Sequence, residues 1–142
     1  MSHRIGDYGQ PMRQRDHQIL QEILETRGDF GHREHLQLAW SYLRMYPIEA
    51  AVEAMMDAIR YLAREHGAHG KYHETITRAW VHCVAVHMQR GGAASFEEFI
   101  ERNPDLLDGK LLEHFYSPEL IRSESARATR TPPDLRGLPA LA

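Results

Sequence analysis

Apolar residues recur every three to four positions along much of residues 13–90, the period of α-helices that each turn one side inward. Arg13 to Arg27 carries Ile19, Leu20, Ile23 and Leu24 as a narrow stripe, and Gly28 supplies a C-terminal stop. A second helix is predicted from near Asp29, a candidate N-cap, to the residues before Pro47. Leu36, Leu38, Ala39, Trp40, Tyr42, Leu43 and Tyr46 make its apolar arc, and Arg33, Gln37, Ser41 and Arg44 its polar one. His32 and His35 fall inside the apolar arc, with Glu34 opposite them.

Pro47 opens a third helix that runs to His66, with Gly67 as its stop. Ile48, Ala51, Val52, Met55, Met56, Ile59 and Leu62 line its inner side; Glu49, Glu53, Asp57, Arg60 and Arg64 line its outer side. Gly67 and Gly70 bracket a turn, and a fourth helix is predicted from Lys71. Its apolar side holds Tyr72, Ile76, Ala79, Trp80, Cys83, Val84 and Met88, with His73 and Thr77 near the middle. Thr75, Arg78, His82 and Gln89 fall on the opposite side.

After Gly91-Gly92, Ser95-Phe-Glu-Glu98 reads as a capping box, and Asn103-Pro104 ends the helix it starts. Leu106, Leu107, Leu111, Leu112 and Phe115 mark further short helices. From Ser117-Pro118 onward the pattern is irregular, yet Leu120, Ile121, Leu135, Leu138 and Leu141 are too apolar for a solvated tail. The expected fold is all-α: a bundle of four main helices, short helical segments and an extended C-terminal tail. Residues 1–12 would be a flexible arm, 13–116 the helical domain, and 117–142 a Pro-containing tail packed on it.

Composition changes this picture little. The 42% apolar and 26% charged fractions suit a soluble globular protein. A net charge of −3 argues against nucleic acid as a partner. No run of about 18 apolar residues suggests a membrane span, and the first residues lack the apolar core of a secretory signal. Cytoplasmic location is the expectation. The one cysteine, Cys83, sits on an apolar face and reads as a core residue. The sequence leaves homo-oligomerisation open.

The ten histidines do change the picture. Short joints favour antiparallel neighbours, which would bring the start of the second helix, the end of the third and the start of the fourth to one end of the bundle. His32, His35, His66, His69 and His73 stand at those places. Inward neutral imidazoles with an open position suit a transition metal such as Fe, Zn, Ni or Cu. On that reading His32, His35 and His73 are ligands, supported by His66, His69 or Glu74. Glu74 and Tyr72 are the candidate catalytic groups, as a general base and a hydrogen-bond donor. The expected function is a small metal-dependent enzyme acting on a small-molecule substrate. A metal-free acid–base pocket is a second option. The alternative from another class is a non-catalytic helical module, binding a ligand or a protein, with structural or pH-sensing histidines. His82 carries no role on this reading, and His87 is a separate packed histidine.

Known metal patterns are missing: there is no Glu-x-x-His pair, and His69-x-x-x-His73 lacks the glutamate of zinc helices. HREHLQLAWSYL (32–43), HGAHGKYHETITRAW (66–80) and FYSPEL (115–120) resemble a group of small bacterial helical proteins with no activity known for it. The resemblance covers most of the chain from Phe30 onward. It implies that the inward histidines belong to a site, but neither a reaction nor a cofactor.

Overall fold

The computed structural model describes residues 12–28, 30–66 and 73–141, without the side chains of Arg27 and His66. The expected arm before Met12, the Asp29 cap and the Gly67–Gly70 turn with its continuation to Tyr72 lie outside the described residues.

Among the described residues the protein is all-α, with seven α-helices, two 3₁₀ turns and no strand. Helix α1 (Gln14–Arg27) ends at Gly28, whose φ of +83° is the left-handed conformation that glycine adopts at least cost. The Gly28 N–H closes on the Leu24 carbonyl at 2.8 Å. Helix α2 (His32–Leu43) starts after Gly31. Glu34 was expected on the outer side, but it curls back and accepts the Gly31 N–H at 2.8 Å, so it is buried. Helix α3 (Ile48–His66) follows Pro47, whose carbonyl accepts the Ala51 N–H.

Helix α4 (Glu74–Arg90) begins three residues later than Lys71, because His73 caps it from an extended backbone. It is the most enclosed element. Ala79, Cys83 and Val84 are buried on one side, and Thr75, Val81, Ala85 and Val86 are buried as well. It packs against α2 and α3, and against α7 from the C-terminal segment. Removing side chains of Val or Leu size from water contributes roughly 1.5–3 kcal/mol each, and α4 carries a large share of that burial.

Helix α5 (Phe96–Arg102) starts at the expected box: Ser95 Oγ accepts the Glu98 N–H at 3.2 Å. The Glu98 carboxylate reaches one residue further back and accepts the Ala94 N–H. The 3₁₀ turns Pro104–Leu107 and Leu111–His114 bury Leu106 and Leu112. The segment expected to be irregular contains two one-turn helices, α6 (Pro118–Arg122) and α7 (Glu124–Ala128). The hydroxyls of Ser117 and Ser123 cap them, each accepting the N–H three residues on. Asp134 accepts the N–H and the hydroxyl of Ser117, and these bonds hold its carboxyl below the usual range. Residues 117–141 thereby fold back across α4.

Candidate functional site

His73 is the best-defined imidazole in the protein. The sequence pattern put it inside a helix; it sits instead at the N-cap, with φ −144° and ψ 111°. Its Nδ1 accepts the Ile76 N–H at 3.1 Å. Its Nε2 lies 2.8 Å from the Ile121 carbonyl oxygen, which can only accept. These two partners fix one neutral tautomer, protonated at Nε2. Both nitrogens are then used, and no lone pair is left for a metal.

His32, the first residue of α2, donates from Nε2 to the Leu106 carbonyl at 2.8 Å, and its ring edge rests on Trp80. His35 packs against the Phe30 ring at 4.7 Å, with Nδ1 3.4 Å from the Gly31 carbonyl. Burial pushes the His35 imidazole below its usual range; the Gly31 carbonyl opposes this, His32 adds to it, and Glu34 opposes it. Glu74 turns to Arg78, accepting from its Nε at 2.8 Å. The His66 side chain, His69 and Tyr72 lie outside the described residues. Among the described residues no three His, Cys, Asp or Glu side chains gather as a metal-binding group. The described imidazoles therefore do not fit a three-nitrogen metal site as they stand.

Two further histidines repeat the pattern. His82 donates from Nε2 to the Pro139 carbonyl at 2.6 Å. His87, buried in the last turns of α4, has Nδ1 2.8 Å from the Cys83 carbonyl and Nε2 2.9 Å from Asp105 Oδ2. Both partners are acceptors, so a ring carrying both protons satisfies them together. Four histidines thus reach from the bundle to residues 105, 106, 121 and 139. The Cys83 thiol beside this contact is buried, and burial, with Asp105 adding, pushes it up to about 11. That suits a core residue and not a nucleophile.

Thr75 is the strongest single fastener of the C-terminal segment. Its hydroxyl lies 2.6 Å from the Ala126 carbonyl and 2.9 Å from that of Thr129, and it accepts the Thr131 N–H at 3.1 Å. Beside it the segment leaves a cavity of about 450 Å³ against α3 and α4. Ile48, Val52, Ala79 and Leu138 supply apolar wall; Glu49, Arg78, His82 and Arg130 supply the polar part. Arg78 bonds Glu74 and lies 3.5 Å from Glu49. Burial works against its charge, but the two carboxylates outweigh this and hold the guanidinium protonated.

Helical periodicity assigned Thr75, Arg78 and His82 to the wet side of α4, and Arg130 had no assignment. What covers that side is a Pro-containing segment with no period of its own. The spaced leucines indicated that this segment packs but not on which side; Leu138 and Leu141 are half-buried, whereas Leu135, expected to be covered as well, is exposed. No protein-family model, curated protein or solved structure matches the chain. Among the described residues, no helix is long and apolar enough to cross a membrane.

Proposed function

We propose that this protein is a non-catalytic helical ligand-binding module whose C-terminal segment forms one wall of the binding cavity. Its histidines are structural: they anchor that wall. The observation that carries this reading is His73, with one nitrogen spent on the α4 cap and the other on the Ile121 carbonyl. His82 supports it by donating from Nε2 to the Pro139 carbonyl of the same segment, and His32 is spent in the same way on the Leu106 carbonyl, which lies before that segment. Each such bond contributes about 0.5–1.5 kcal/mol net. Recruiting these nitrogens to a metal would cost the bonds and leave part-buried carbonyls without this partner.

The competing proposal is a metal-dependent enzyme in which His66 and His69 complete a ligand set. Elemental analysis of protein purified without a polyhistidine tag, followed by titration with Fe(II), Zn(II), Ni(II) and Cu(II), decides between them. The module reading predicts no tight, near-stoichiometric metal and no difference between wild type and His73→Asn. Near-stoichiometric metal that is lost in both His35→Ala and His73→Ala would overturn it in favour of the enzyme.

A further inference from the structure

The cavity between α3, α4 and the C-terminal segment has a charge arrangement that narrows its ligand. Of its two guanidinium groups, Arg78 is already matched: Glu74 holds its Nε at 2.8 Å and Glu49 stands 3.5 Å from Nη1. Arg130 is exposed, and its guanidinium has no hydrogen bond or ion pair among the described residues. It lies near enough to Tyr116 to counter part of the upward push that burial gives that phenol. Arg78 and Arg130 balance Glu49 and Glu74 in number, but both carboxylates stand on Arg78, so Arg130 is the cation left without a carboxylate partner among the described residues. Val52 and Ala79 are buried below it, and Leu138 closes the wall contributed by the C-terminal segment. The volume of about 450 Å³ lies within the range of small-molecule sites.

Resting on the ligand-binding reading above, we infer that this cavity takes a small monoanion with an apolar body. Its carboxylate would meet Arg130, and its body would lie against Val52, Ala79 and Leu138. Two features choose this class. A cation beside an apolar wall favours a ligand that is charged at one end only, because a second charge would enter the apolar part unpaired. Glu49, whose side chain is 78% exposed, adds a negative charge at the same site and disfavours a dianion. Arginine presents a planar fork that matches a carboxylate with two parallel hydrogen bonds.

The test uses four molecules of equal chain length: octanoate, octan-1-ol, octylammonium and octanedioate. Each is titrated calorimetrically into the full chain, its Arg130→Gln variant and its Thr131→Trp variant. Arg130→Gln removes the charge at an exposed position, and Thr131→Trp fills the cavity from the C-terminal wall. Octanoate should bind most tightly, weaken about fivefold in Arg130→Gln, and be blocked in Thr131→Trp. Octanol should bind more weakly, with the same affinity in wild type and Arg130→Gln. Equal affinity for octanoate and octanol, insensitive to Arg130→Gln, would overturn the anion assignment while leaving a ligand cavity in place. Binding that survives Thr131→Trp, or no binding of any of the four, would overturn the assignment of this cavity. The metal titration judges the module reading separately.

Discussion

The ring of His73 joins two parts of the chain that lie 48 residues apart: Nε2 donates to the Ile121 carbonyl, while Nδ1 accepts the Ile76 N–H. One imidazole therefore starts α4 and fastens α6 to it. An alanine there would remove both bonds, whereas an asparagine can replace the cap alone, since its side-chain oxygen accepts an N–H at this position. Wild type should be the most stable, His73→Asn intermediate and His73→Ala the least stable. Each step should cost about 1 kcal/mol in urea unfolding. Equal stability of the two variants would show that the ring does not cap α4.

Thr75→Val keeps the side-chain shape and removes the hydroxyl. The Ala126 carbonyl and the Thr131 N–H would lose this partner, while the Thr129 carbonyl keeps the Thr131 hydroxyl at 3.1 Å. The expected cost is about 1–3 kcal/mol, concentrated in the C-terminal segment. Limited proteolysis should cut residues 117–142 faster in the variant, while the bundle from α1 to α4 stays resistant. Unchanged cleavage there would mean that the hydroxyl is not a fastener.

Asp57 offers a pH test with a definite sign. Burial raises its carboxyl above the usual range; Arg60 opposes this, and Glu53 and Asp16 add to it. The folded protein then holds a proton that the unfolded chain has already released. The stability this contributes is present at acid pH and is lost as pH rises from about 3.9 through the folded value. At neutral pH the charged group costs stability. Asp57→Asn should therefore be more stable than wild type at neutral pH, by up to about 1 kcal/mol, and the gain should vanish at acid pH. Denaturant midpoints across the acid range measure this; a variant less stable at neutral pH would reverse the sign.

His35 gives the opposite dependence. Its folded imidazole is depressed, chiefly by burial, so the unfolded chain binds the proton first as pH falls. Its contribution is complete above about 6.5 and lost as pH falls through the folded value. The stability difference between wild type and His35→Gln should shrink between neutral and mildly acid pH. A difference that grows with acid would contradict this.

The helices were legible because burial on one side writes a 3.6-residue period into the sequence. Ile23 and Val52 sit where that period placed them, and Ser95 caps α5 as its spacing with Glu98 indicated. Two things were not legible. Position 73 continues the apolar arc of the next residues, so a cap and a helical residue look alike until the backbone is seen. The wet face of α4 was also misread, because Thr75 is covered by residues 126–131, which have no period to betray a packing face. The candidate site changed accordingly. Of the histidines read as converging ligands, His32, His35 and His73 each lie against a carbonyl, and the cavity opened on the opposite side of α4.

Imidazole nitrogen NMR tests the central claim most directly, because it reads which nitrogen carries the proton. Two-bond proton–nitrogen correlations on the labelled chain at about pH 8, where free imidazoles are neutral, should show His32, His73 and His82 protonated at Nε2. Equimolar Zn(II) should leave their resonances in place. A proton on Nδ1 of His73, or movement of its nitrogen resonances on adding Zn(II), would contradict the account of the histidines as anchors.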